Sequence, residues 1–270
     1  MKKCVAIVLA AVMLFALAAC GGGTKKQEAE KVELIVFAAA SMTETMNKII
    51  EQYKSVAPNV TVIPTYDSSG TLKTQIQNGA DCDLFISAAQ KQMNQLDSSK
   101  DGDANPDGLD FVLQGTRVNL LENKVVLAVP DENKADIESF ADLATDKLNL
   151  LCIGNEDVPV GAYTLEILDY LGIREELEGS GKLTYGSNVK EVTTQVKEGA
   201  VDAGVIYATD AFSAGLKVVD EATKDMCRQV IYPAAVLNIT KHEQAARDFL
   251  AYLQGEDAME VFASVGFAKA

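Results

Sequence analysis

The chain has 270 residues, with 24 basic against 39 acidic residues for a net charge of −15, one histidine, five cysteines and no tryptophan. That balance excludes nucleic acid as a partner, because a polyanion needs clusters of Lys and Arg to neutralise its phosphates. The single histidine excludes most zinc hydrolases and histidine-based triads, and the length fits one large domain or two small ones.

Lys2 and Lys3 precede an apolar run over 5–19, followed by Cys20 and three glycines. The run is shorter than the roughly 20 residues that span a bilayer, and it has the charged and apolar regions of a secretory signal. Its end, Leu17-Ala18-Ala19-Cys20, resembles the lipobox of bacterial lipoproteins. That resemblance implies removal of 1–19 as a signal peptide and a lipid on Cys20 that holds the protein at the outer face of the cell membrane. Residues 20–31 carry no large apolar side chain and read as a flexible tether. Without residues 1–19 the chain keeps 22 basic and 39 acidic residues, a net charge of −17. Cys82, Cys152 and Cys227 then remain, an odd number that allows at most one disulfide, of open pairing. Cys152, inside the apolar run 148–153, reads as a small buried hydrophobe.

From residue 32 onward, apolar runs alternate with helical periodicity. Strands are predicted over 32–37, 60–65, 84–87, 125–129, 148–153 and 203–207, and helices over 42–55, 71–77, 161–171, 190–197 and 243–253. Short continuous apolar strands separated by helices imply mainly parallel sheets covered on both faces, an α/β architecture of the doubly wound kind. The segment 100–108 contains Asp103, Asn105, Asp107 and Gly108 at the spacing of a calcium loop's first half. Gln114 stands where that loop needs a bidentate carboxylate, so the segment reads as a solvated acidic turn with calcium left open.

Ligands of parallel α/β sheets bind where strands end and helices begin. Four such junctions share one chemistry. Ser41 with Glu44 makes a capping box at the first, and Ser68-Ser69-Gly70-Thr71 opens the second. At the third, Pro159 and Gly161 shape a turn in which Val160 offers only its backbone, and Ser187-Asn188-Val189 opens the fourth. Singly, each junction reads as a helix cap. Together they present N–H groups and hydroxyls, with no Lys, Arg or His at the cap positions. A helix N-terminus carries about half a positive charge, so four converging on one point supply about +2, the complement of a small dianion. The protein's own acidity need not oppose this, because surface charges are screened beyond about 8–10 Å.

The run Val36-Phe37-Ala38-Ala39-Ala40-Ser41-Met42-Thr43 resembles the opening signature of the periplasmic molybdate-binding proteins of ABC importers. Ser68-Ser69-Gly70-Thr71-Leu72, the run 79–88, Leu120-Leu121-Glu122-Asn123-Lys124, Val158-Pro159-Val160-Gly161-Ala162-Tyr163, the run 204–211 and Tyr232-Pro233 extend the likeness in order from about 33 to 267. The resemblance implies a two-lobed periplasmic-binding-protein fold of type II, with one lobe formed by 32–121 and 233–270, the other by 122–232, and crossings near 119–124 and 231–233. It implies a monomeric carrier, not an enzyme, that captures molybdate, and with it tungstate, and delivers it to the permease subunits of an ABC importer. No cofactor or metal ion is implied, molybdenum being held only as the oxyanion. The hydroxyls of Ser41 and Ser69, the backbone N–H groups of Val160 and Val189, and the hydroxyl of Tyr207 are the implied ligand donors. Gly70 departs from the family's serine run and is expected to loosen the backbone there. Val160 is bulkier than the residue common at its position and is expected to alter pocket size.

The chemistry of the residues agrees with a dianion that only accepts hydrogen bonds. A pocket of donors leaves the proton of hydrogen phosphate without a partner, whereas sulfate differs from molybdate mainly in size. Three other readings compete with this one. An enzyme on this fold lacks a nucleophile–base pair: Asp81 and Asp83 are expected to face solvent, and His242 has no catalytic partner. A ligand-sensing domain of a transcription regulator conflicts with the lipobox. A binding lipoprotein for sulfate, phosphate or an organic acid differs only in the pocket.

Overall fold

A computed structural model describes residues 30–270. The signal peptide, Cys20 and most of the tether lie outside the described residues. The chain from residue 31 to the end folds as one unit built on two sheets. In the first, β1 (Val32–Ala39) lies between β2 (Val60–Asp67) and β3 (Leu84–Ile86), both parallel to it. Beyond β3 the order continues antiparallel with β10 (Val230–Val236), β4 (Val118–Asn123) and β11 (Ala268–Lys269). The second sheet repeats the scheme. β6 (Leu151–Gly154) is parallel to β7 (Leu183–Gly186) and β8 (Ala203–Tyr207), and β5 (Val125–Val129) and β9 (Lys217–Glu221) close the other side antiparallel.

The expectation of parallel α/β units thus describes the strands that alternate with helices. β10 and β5, next to the parallel strands of their sheets, run against them. β4 runs into β5 with only Lys124 between them and the chain returns between β9 and β10, so each crossing joins a strand that runs with its sheet's parallel set, β4 or β9, to one that runs against it, β5 or β10.

Helices α1 (Thr43–Val56), α2 (Ser69–Gln77), α3 (Gln90–Asn94) and α4 (Pro159–Leu171) follow strands, α5 (Arg174–Ser180) follows α4 and leads into β7, α6 (Val189–Lys197) and α7 (Ala208–Ala214) again follow strands, and α8 (Glu243–Leu253) and α9 (Glu256–Ala263) complete the first half. α1 buries Met46, Ile49, Ile50 and Tyr53 at helical spacing. Tyr53 in turn packs on Phe249 of α8, with ring centroids 4.8 Å apart. Each fully buried side chain of this kind contributes about 1.5–3 kcal/mol of transfer free energy.

Several elements escaped the sequence reading for physical reasons. β9 is an edge strand of alternating charge, Lys217-Val218-Val219-Asp220-Glu221, without an apolar run. β10 contains Pro233, and its pairing with β4 shifts register at Tyr232/Pro233, where the missing N–H is accommodated.

Cys82, Cys152 and Cys227 are free thiols. Cys152 is fully buried, as expected, and burial pushes its thiol up to about 12. In the 100–108 segment, the Asn105 amide donates to the carbonyls of Asp97 and Leu109 and accepts from the Leu109 N–H. Asn105 is therefore a buried loop pin and not a free oxygen ligand. The expectation that Asp83 faces solvent is overturned. Its carboxylate is buried and accepts from the Ile35 N–H at 2.7 Å and the Thr240 hydroxyl, tying β1 to the chain beyond β10, while Asp81 stays exposed.

Candidate functional site

Register brings the junctions together. Ala39 of β1 pairs with Asp67 of β2, and Ala38 with Ile86 of β3, so three parallel strands end level and release their loops at one edge. In the second sheet Gly154 pairs with Gly186 and Cys152 with Gly204, so β6, β7 and β8 also end level. The two edges face each other across a narrow, nearly closed cavity lined by Ala39, Ala40, Ser41, Asp67, Ser68, Ser69, Ala88, Val158, Pro159, Val189 and Tyr207. Four of the five expected donors line it. The fifth, Val160, lies directly behind Pro159 in the first turn of α4 and is fully buried.

The first-half donors are hydroxyls with partners. Ser69, fully buried, accepts from the Ala88 N–H at 2.9 Å, which leaves its own hydrogen to point elsewhere. Ser68 caps α2 by accepting from the Thr71 N–H, as a capping serine should. Asp67 also reaches the cavity wall, and its carboxylate accepts from the Ser68 N–H at 2.7 Å.

The Ser41–Glu44 capping box does not form. Ser41 sits inside a 3-10 turn (Ala40–Met42), α1 has no side-chain cap, and the Ser41 hydroxyl bonds instead to the Tyr232 hydroxyl at 2.8 Å. Glu44 reaches across the cleft to Lys190 of α6, 2.7 Å away.

The second-half donors lack such partners. Pro159 opens α4 without an N–H, which makes that of Val160 the first donor of the helix, one the helix itself leaves unsatisfied. Gly161 lets the α4 start sit directly on β6, since a Cβ there would lie 2.3 Å from the Gly154 carbonyl oxygen. Asn188 caps α6 by accepting from the Glu191 N–H, leaving Val189 as the first helical donor. Tyr207 closes the set. Its ring is held between Tyr163 and Tyr232, its residue is 1% exposed, and its hydroxyl has no hydrogen-bond partner. Such an orphan costs about 1–3 kcal/mol unless something fills the site. Burial, with Tyr232 beside it, holds its pKa well above the ordinary tyrosine value, so the group stays an O–H donor.

Gly70 does not loosen the chain as expected. It is helical, its N–H donates to the Asp157 carbonyl of the opposite half at 3.1 Å, and a Cβ would stand 2.3 Å from that oxygen. Its role is close approach between the halves. Beneath the floor, Lys190 pairs with Asp210 at 3.0 Å as well as with Glu44. Burial raises the Asp210 carboxyl to about 6, with Lys190 opposing the shift.

Sequence reasoning did not single out Asp67, Ala88, Asn123, Asp210 or Tyr232. Asn123 and Tyr232 lie within stretches that carry the family likeness, yet only the crossing of β4 and β10 shows that they meet Ser41.

Comparison with known proteins finds relatives over nearly the whole of the described chain. A Bacillus subtilis protein, YvgL, which carries the provisional name of an ABC transporter substrate-binding lipoprotein, is 36% identical over 99% of both chains. The molybdate-binding protein ModA of Escherichia coli is 35% identical, over 88% of this chain and 90% of its own. The solved structure of the Azotobacter vinelandii periplasmic molybdate-binding protein superposes with a TM-score of 0.76 at 22% identity, over 88% of this chain and 99% of that one, a likeness of fold. The family model described as bacterial extracellular solute-binding protein matches residues 34–268, and the chain belongs to that family.

Proposed function

We propose that this protein captures molybdate, and with it tungstate, outside the cell membrane and hands it to the permease of an ABC importer. The observation that carries the reading is the Tyr207 hydroxyl, buried without a partner at a cavity ringed by helix N-termini and hydroxyls. A tetrahedral dianion supplies acceptors to all of these groups and gains from the helix dipoles. The name of the Escherichia coli relative, which matches over most of both chains, supports molybdate as the anion. Ser41, Ser69, Val160, Val189 and Tyr207 are its donors in this reading, and neither a cofactor nor a catalytic step is needed.

The chain works as a clamp in this reading. The sheets shift the expected bounds of 121/122 and 232/233 by a few residues, so that one lobe holds 32–123 with 230–270 and the other 125–221, and the ligand favours the closed state because only closure brings both sets of donors within reach. The lipobox ending at Cys20, together with the lipoprotein name of the Bacillus subtilis relative, supports anchoring by lipid at the outer face of the membrane.

Calorimetry of the mature protein with molybdate, tungstate, sulfate and phosphate tests the reading. Molybdate and tungstate bind tightly and phosphate does not, and ligand at about 1,000 times its Kd raises stability by about 4 kcal/mol. No response to molybdate or tungstate overturns it. Replacing Cys20 with alanine is expected to move the protein from the membrane fraction to the soluble fraction.

A further inference from the structure

We infer that Asn123 and Tyr232 are positioning residues that keep the Ser41 hydrogen free for the ligand, so that Ser41 faces it as a donor. The inference rests on the oxyanion reading above and extends it from the donors to what sets their polarity.

The chain of reasoning starts at the backbone of the crossing. The Lys124 N–H donates to the Asn123 side-chain carbonyl at 2.8 Å. This settles which end of that amide is which, because a backbone N–H can only donate. The amide nitrogen therefore faces the other way, where it donates to the Thr209 hydroxyl at 2.9 Å and the Tyr232 hydroxyl at 3.3 Å. Tyr232, fully buried, accepts from Asn123, and of the two directions open to its 2.8 Å contact with Ser41 the inferred one has Tyr232 donate its single hydrogen to the Ser41 oxygen. Ser41 makes no other hydrogen bond among the described residues, so its own hydrogen is left for the cavity it lines.

The relay runs one way, from the Lys124 peptide through Asn123 and Tyr232 to Ser41. Its consequence is selectivity. An anion with no proton finds a donor at Ser41, whereas an anion that carries a proton toward Ser41 meets a second hydrogen and leaves both unpaired. The relay also starts on the two strands that join the halves, so the donor is set where the clamp hinges.

The test is competitive calorimetry with molybdate and inorganic phosphate. Tyr232→Phe frees the Ser41 hydroxyl to rotate, so the preference for molybdate over phosphate falls at least tenfold while molybdate affinity changes only a few-fold. Tyr232→Phe added to Ser41→Ala leaves the preference of Ser41→Ala unchanged, because no hydroxyl remains to be directed. Asn123→Asp turns the donor into an acceptor and weakens molybdate at least tenfold, and adding Tyr232→Phe restores most of that loss. A preference that survives Tyr232→Phe, a shift of equal size with and without Ser41, or a double variant no better than Asn123→Asp overturns the proposal. Thermal melts establish that each variant is folded, and Tyr232→Phe carries the test alone if Asn123→Asp does not fold. Wild-type protein that binds no molybdate is a different failure, seen before any variant is made, and it removes the reading together with the relay.

Discussion

The two walls of the cavity are built on opposite principles. On the first-half wall every hydroxyl is already engaged: Ser69 with the Ala88 N–H, Ser41 with Tyr232, and Ser68 with the start of α2. On the second-half wall the donors are left open, as the first N–H groups of α4 and α6 and a tyrosine hydroxyl buried without a partner. The engaged wall is preorganised and holds its shape whatever the cleft contains. The open wall carries a cost that a ligand removes, so affinity comes from the second wall and orientation from the first.

The largest effect should come from preventing the walls from meeting. Gly70→Ala places a Cβ 2.3 Å from the Asp157 carbonyl oxygen and 2.9 Å from that residue's Cα, contacts that only opening of the cleft relieves. Because alanine is favoured over glycine inside a helix by about 1 kcal/mol, the unliganded variant should melt no lower than wild type. Its molybdate affinity should fall by more than about 100-fold in calorimetry. Near-normal affinity would mean that the walls do not close as described.

A second effect separates what lies beneath the walls. The Asp210 carboxyl in the folded protein is raised to about 6 from an ordinary 3.8 by burial, with Lys190 opposing. The folded state therefore takes up this proton at a higher pH than the unfolded chain. The stability linked to that uptake is fully present below about pH 4 and is lost as pH rises through about 6. Relative to wild type, Asp210→Asn should thus look more favourable in urea unfolding at pH 7.5 than at pH 4.5, by about 2 kcal/mol. A difference that does not change between the two pH values would show that Asp210 does not hold its proton unusually tightly.

The parallel units of the fold were legible because both their signals are local. Apolar runs such as 125–129 and 203–207 match β5 and β8 to the residue, and serines or Asn at strand ends do cap α2 and α6. Ser41 shows the limit of that local reading. Its spacing to Glu44 fits a capping box, but the Tyr232 hydroxyl, 191 residues away, offered a buried partner and took the side chain. Asp83 shows the same limit. Its alternation with Asp81 suggests an exposed pair, whereas Thr240 and the Ile35 N–H bury it. The likeness to a known family supplied five donor positions, and register then brought four of them to the cavity wall. The relay behind Ser41 depends on strands that pair only after the chain has crossed twice, which no spacing in sequence records.

Replacing Tyr207 by phenylalanine sharpens the contrast between the walls directly. Removing an unsatisfied hydroxyl leaves the unliganded protein as stable or slightly more so, while the ligand loses one charge-assisted donor, about 1.5–3 kcal/mol or roughly 10–150-fold in Kd. Ser69→Ala on the other wall strips the Ala88 N–H of its acceptor, so it should lower both the melting temperature and the affinity. If both variants lowered stability alike, the walls would not differ in the way proposed.

The smallest effect belongs to the ion pair that bridges the walls. Glu44 of α1 and Lys190 of α6 lie 2.7 Å apart with side chains 52% and 28% exposed, a setting in which solvent leaves a pair worth less than about 1 kcal/mol. Because the partners belong to opposite halves, the pair can form only when the cleft is closed. Glu44→Gln should therefore leave association nearly unchanged and speed molybdate release a few-fold in stopped-flow at low salt, with the difference fading as salt is raised. Lys190 keeps Asp210 as a partner in this variant, so its ammonium stays anchored and the helix start that presents Val189 keeps its place. A release rate insensitive to both the substitution and salt would place the pair outside the closing step and leave closure to the backbone contact at Gly70 and to the ligand itself.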